Sequence, residues 1–132
     1  MIKKTITFTD YDGNERKEEF RFNLNKAEII RMELTTKGGL VEMVDRAVKA
    51  KDVDTLFRIF EDLVQKSYGV KTLDGRGFTK KKEDLDDFMA TEAYSELITE
   101  LVTNAEAAAD FVNGIIPENL EKQITPAVSL NT

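Results

Sequence analysis

The sequence predicts an α+β fold, mainly α. An antiparallel β-hairpin spans residues 2–24, and about five or six helices follow over 25–116. Three observations carry this. Ile2, Ile6 and Phe8, then Phe20, Phe22 and Leu24, alternate with polar residues on either side of the turn signal Asp12-Gly13. Leu56, Ile59, Phe60, Leu63 and Val64 recur at helical spacing, with Ser67 and Tyr68 extending the stripe. Tyr94, Leu97, Ile98, Leu101 and Val102 make a second stripe of the same kind.

In the hairpin, Lys4 interrupts the first apolar face, while Thr5, Thr7, Glu19, Arg21 and Asn23 fall on the other side. A lone two-stranded hairpin is marginal, so its apolar face must pack on helices or on another subunit. Asn25 with Glu28 resembles a capping box and opens a helix bearing Ile29, Ile30 and Leu34, which stops near Thr36 before Gly38-Gly39. A second helix runs from about Leu40 to Ala50 on Leu40, Val41, Val44, Ala47 and Val48, flanked by Met43. Lys51-Asp52 breaks it. Asp52 is the expected N-cap of the central helix, and Gly69 its expected C′ residue.

Residues 70–82 read as a flexible loop, in which Val70 and Phe78 could flank a small hairpin around Asp74-Gly75. Glu83, Asp84, Asp86 and Asp87 then crowd the start of a short helix, where they complement its positive dipole end. Leu85, Phe88 and Met89 give it an apolar side. Thr91 is the next expected N-cap, and Asn104 caps again or marks a kink. Ala107, Ala108, Phe111, Val112 and Ile115 continue an apolar face, with Asn113-Gly114 and Pro117 as stop signals. Residues 1–117 therefore read as a single globular domain, and 118–132 as a flexible tail.

The 132 residues suffice for a core without staples. The absence of cysteine excludes disulfides and thiolate chemistry, and the absence of histidine removes the commonest metal ligand and general base. No apolar run approaches the roughly 18 to 20 residues of a membrane span, and MIKKTITFTD has no secretory pattern. The expectation is a soluble intracellular protein with no cofactor, no membrane and no nucleic-acid partner. Net charge is −6, unevenly placed. Residues 1–82 hold 18 Lys+Arg against 14 Asp+Glu, whereas 83–117 hold 9 Asp+Glu and no Lys or Arg. Such asymmetry fits electrostatic pairing with a partner or between subunits, although a solvated acidic face is the plainer reading.

The motifs that could carry chemistry are weak. Asp10, Asp12 and Asn14 open like a calcium loop, but Glu15 stands where the glycine belongs and Arg21 where the bidentate glutamate belongs. Gly75-Arg76-Gly77 lacks the strand, glycine spacing and helix start of a phosphate loop. Lys80, Lys81 and Lys82 abut four acidic residues that cancel their field. No serine has a histidine to activate it. An enzyme is not expected. The candidate partner-binding residues are the carboxylates Glu96 and Glu100, at i, i+4 on the acidic helix, with Phe111, Ile115 and Ile116 from the stretch FVNGII. That stretch fits an exposed docking site about as well as a core edge.

Lys66-Ser67-Tyr68-Gly69-Val70, then Asp74-Gly75-Arg76 with Phe78, then Phe88 and Thr91-Glu92-Ala93-Tyr94-Ser95, and finally Phe111 to Pro117 form a set of short elements across residues 57–117. In these the sequence resembles the tail assembly chaperones of long-tailed, siphovirus-type bacteriophages. The resemblance implies a non-enzymatic protein made in the host cytoplasm. Such chaperones bind the tape measure protein, keep it soluble until tail tube subunits polymerise, and are absent from the mature virion. It also implies that a longer product can arise by ribosomal frameshift, with the tail after Pro117 as the place for the junction. It transfers no site residue. Two other functions compete: a structural completion or adaptor protein retained in the virion, and an acidic DNA-mimic inhibitor. Self-association is a further expectation from the charge asymmetry.

Overall fold

A computed structural model of the chain describes residues 1–35 and 39–116. The expected helix stop at Thr36 to Gly38, Pro117, the expected tail at 118–132, and the side chains of Leu34, Leu40 and Val41 lie outside what is described. The elements follow the order β1 (Ile2–Thr9), β2 (Glu15–Phe22), α1 (Lys26–Thr35), α2 (Leu40–Lys49), α3 (Val53–Ser67), β3 (Tyr68–Lys71), β4 (Phe78–Thr79), α4 (Lys82–Met89), α5 (Glu92–Thr103) and α6 (Ala105–Ile115). The α+β class and the N-terminal hairpin are as the sequence predicts.

β1 and β2 pair antiparallel from Ile2↔Phe22 to Thr9↔Glu15. Tyr11 to Gly13 make the turn: the Gly13 N–H donates to the Asp10 carbonyl at 3.0 Å, and Gly13 has φ +84°. That conformation needs glycine, so the turn signal and its glycine belong together. The Asp10 carboxylate accepts from the N–H groups of Asp12 and Asn14 and from Arg16 Nε at 2.7 Å, which commits it to the turn.

The sheet is larger than the hairpin the sequence shows. β3 and β4 add to it in the order β1-β2-β3-β4, through Arg21↔Gly69 and Phe22↔Tyr68. The segment expected to be a flexible loop at 70–82 thus contributes two short strands. Gly69 follows the C-cap residue Tyr68, as expected, but takes no left-handed capping conformation. The central helix ends at Ser67, Tyr68 is already extended, and Gly69 lies in β3 beneath Phe78. A Cβ there would meet Phe78 Cε2 at 2.6 Å and the Thr79 carbonyl oxygen at 2.8 Å. The close approach of a ring and a neighbouring strand requires the glycine.

The helix starts are chemically explicit. Asn25 and Glu28 form the reciprocal box, with both side chain to backbone bonds at 2.9 Å. Asp52 accepts from the Thr55 N–H at 3.1 Å, and Asn104 from the Ala107 N–H at 3.0 Å. Thr91 occupies the N-cap position of α5 without capping it; its hydroxyl donates to the Phe88 carbonyl at 2.7 Å. Lys51 takes φ +54° at the break between α2 and α3.

The core lies between the sheet and the helices. α3 buries Leu56, Ile59, Phe60, Leu63, Val64 and Ser67, and α5 buries Ala93, Leu97, Ile98 and Leu101. Phe22, Phe60 and Phe111 have no exposure. Burying each such side chain contributes about 1.5–3 kcal/mol. Phe88 from α4 stacks on Tyr68 at 4.5 Å between centroids and meets Phe20 at 4.8 Å, joining the sheet to the short helix. Ile30 departs from its expected stripe and is 40% exposed, while Ile29 is buried. Tyr94 ties α5 to α3: Gln65 Nε2 donates to its hydroxyl at 3.0 Å, and that hydroxyl donates to Glu61 at 3.1 Å. Burial pushes the Tyr94 phenol above its ordinary pKa, and the Glu61 carboxylate adds to the rise.

Candidate partner-binding surface

The sequence proposes a carboxylate pair and an apolar stretch as one surface. The structure separates them. Glu96 and Glu100 are exposed on α5, flanking the buried Leu97 and Leu101. Phe111 and Ile115 are fully buried, and Ile116 is partly buried against the same core. Phe111 meets Phe22 edge-on at 5.4 Å, and the Ile115 carbonyl accepts from the Leu24 N–H at 2.9 Å. The apolar half of the expected site is therefore core. The face Ala108, Phe111, Val112 and Ile115 is what α6 contributes to the interior.

Gly114, read in sequence as a stop, is inside α6 and explains the tight packing. A Cβ there would stand 2.8 Å from Ile2 Cδ1 and 2.9 Å from Ile2 Cβ. Glycine at this point lets α6 lie close to the start of β1. The basic run resolves into separate pairs: Lys80 bonds Glu28 at 2.7 Å, and Lys82 bonds Asp86 at 2.7 Å.

Sequence reasoning missed what borders the carboxylates. The margin of β1 runs beside α5 and α6, and two adjoining depressions follow it. One, of about 250 Å³, lies between Thr5 and Thr7 of β1 and Glu96, Glu100 and Thr103 of α5. The other, of about 230 Å³, continues past Ile2 toward Glu106 and Asp110 of α6. Lys4 Nζ bonds Glu100 Oε1 at 2.7 Å where the two meet. Lys4 is the one cation among the lining residues, set against four carboxylates. The interruption of the first apolar stripe by Lys4 is the signal that could have located this groove, because a lysine on an inward face must reach either water or an acid. A third depression, of about 260 Å³ and mostly apolar, lies between Val44 and Val48 of α2 and Ala108 and Val112 of α6.

A family model described as phage tail assembly chaperone matches residues 1–129. No curated protein matches the chain, and no solved structure matches it.

Proposed function

Since the chain belongs to the phage tail assembly chaperone family, we propose that it binds the tape measure protein and keeps it soluble until tail tube subunits polymerise around it. It does this as a non-enzymatic binding protein in the host cytoplasm and leaves before the virion is complete. The family match carries this reading. The surface supports it: α5 and α6 contain five carboxylates, Glu92, Glu96, Glu100, Glu106 and Asp110, and no Lys or Arg. That field would draw in a basic partner segment and repel other copies of the chaperone.

A chaperone of this kind must release its client, so its affinity has to come from a surface that competing subunits can displace. An exposed, charge-steered groove fits that demand better than a deep apolar pocket, because exposed ion pairs contribute only about 0–1 kcal/mol each. Co-expression with the tape measure protein tests the reading. The expected result is a soluble complex that co-purifies, with the tape measure protein aggregating when expressed alone. A tape measure protein that is equally soluble without this chain, or a chain that persists in purified virions, overturns it. The second outcome would favour a structural tail component.

A further inference from the structure

Among the described residues nothing pairs with the outer edge of β1, and the chemistry of that edge is specific. The Asp10 N–H donates to the Asn14 carbonyl at 2.8 Å, which makes Asp10↔Asn14 a hydrogen-bonded pair. Pairs alternate along an antiparallel ladder. In the register Thr9↔Glu15 to Ile2↔Phe22, the even residues of β1 bond inward to β2. The peptide groups of Lys3, Thr5, Thr7 and Thr9 therefore point away from the sheet. Among the described residues β1 pairs only with β2, and no bond reaches those outward groups. An eight-residue edge without proline or bulge is a template for another strand. It borders the depression walled by Glu96, Glu100 and Thr103.

We propose that this edge is a strand-addition site, taking an extended segment of a protein partner that carries basic side chains at alternate positions. The backbone of the segment continues the ladder at Lys3, Thr5, Thr7 and Thr9. Its alternate side chains face α5, within the field of Glu96 and Glu100. The charges select this occupant over a second copy. Antiparallel β1–β1 pairing about a two-fold axis keeps both α5 helices on one face of the joined sheet, side by side. Glu96 and Glu100 would then confront their own counterparts. Lys4 supplies a further filter: a charge on the inward face of an edge strand discourages indiscriminate apolar pairing. The proposal rests on the chaperone reading only for the identity of the partner; the recognition chemistry stands without it.

The test is a titration of the full chain with labelled synthetic peptides the length of β1. One alternates Lys with Val, and the other alternates Glu with Val. The wild-type chain should bind the Lys peptide and not the Glu peptide. Thr5→Pro and Thr7→Pro remove outward N–H groups that the β1–β2 ladder does not use, so the fold should survive, as circular dichroism and melting will show. Each should weaken the Lys peptide by about tenfold, the effect of losing one or two backbone bonds and blocking their neighbours. Thr5→Val, which keeps the N–H, should bind like wild type. Glu96→Lys should weaken binding and flatten its salt dependence. Proline variants that bind the Lys peptide as tightly as wild type would reduce the contact to surface charge and overturn the proposal. So would equal binding of the Glu peptide, or a wild-type dimer that Thr5→Pro splits into monomers. Should Thr5→Pro not fold, a Lys peptide N-methylated at alternate backbone positions asks the same question from the other side. Unchanged affinity of that peptide rejects the ladder. None of these measurements uses the tape measure protein, so their failure leaves the co-purification result standing.

Discussion

At Gly69 a single added carbon decides between two strands and a clash. The Thr79 carbonyl, 2.8 Å from where a Cβ would stand, belongs to backbone held by the β3–β4 pairing and cannot step aside as a side chain can. Gly69→Ala should destabilise the protein by about 1–3 kcal/mol, the usual cost of overpacking, read as a lower urea midpoint. Gly114→Ala faces the Ile2 side chain at the chain's beginning, and the better helix propensity of alanine offsets part of the strain. It should cost less than Gly69→Ala; the reverse order would mean that β3 shifts more easily than α6. Leu63 is 1% exposed at the centre of α3. Leu63→Asp should unfold the domain, since burying an unpaired carboxylate costs several kcal/mol or forces it to stay neutral, and a near-native melting temperature would show that the site opens to water. Asp10 offers a pH test. Its hydrogen bond from Arg16, followed by the Asn14 N–H, holds its pKa below the ordinary 3.8. A native pKa below the unfolded one means that the carboxylate's contribution is complete above 3.8 and is lost as pH falls through the lowered native value. An NMR titration of Asp10 should show a midpoint below 3.8, and Arg16→Ala should move it back toward that value.

Among the elements, the helices were legible and the second hairpin was half legible. α3 and α5 carry long stripes at helical period, and their neighbours are set by local spacing alone. The caps at Asn25, Asp52 and Asn104 could also be read, because each side chain bonds a backbone group three residues away. Gly69 and Gly114 misled for the opposite reason. Each sits near a helix end, where local rules apply, but Gly69 and Gly114 answer to Phe78 and Ile2, which sequence proximity does not reveal. The addition of β3 to β2 has the same character: strands of four and two residues are too short to show alternation. Asn104 is the place to test how much a cap supports α6. It joins α5 to α6, and its amide oxygen holds the Ala107 N–H. Asn104→Ala should cost about 0.5–2 kcal/mol in global stability. Thr91→Ala removes no such cap, so the two variants should differ in urea unfolding, and equal losses would imply that the Thr91 hydroxyl bond to Phe88 matters as much.

For the whole molecule, the uneven charge visible in the sequence becomes a spatial arrangement. The acidic α5 and α6 back onto the sheet margin, and most cations lie in the other half of the chain. The carboxylates of the candidate site were therefore readable, since residue type alone places Glu96 and Glu100 outside an apolar stripe. The groove was not, because it forms only when β1 reaches α5 across nearly a hundred positions, as the Lys4–Glu100 pair does. This arrangement also changes which substitutions can probe binding. Phe111→Ser and Ile115→Ser would strike residues with no exposure and report on folding, not on a surface. Glu96, Glu106 and Asp110 are better probes: they border the groove and take part in none of the ion pairs seen among the described residues. Reversing the three to Lys should leave the melting temperature nearly unchanged, since exposed charges carry little stability. It should slow association with the tape measure protein by about tenfold at low salt, with the difference shrinking as salt rises and the dissociation rate nearly constant. Steering acts on encounter, and the backbone and apolar contacts that hold a complex act on escape. Stopped-flow rates at two ionic strengths separate the two. An unchanged association rate would remove α5 and α6 from the binding surface, and a change confined to dissociation would mean that these carboxylates make close contacts instead of setting a field.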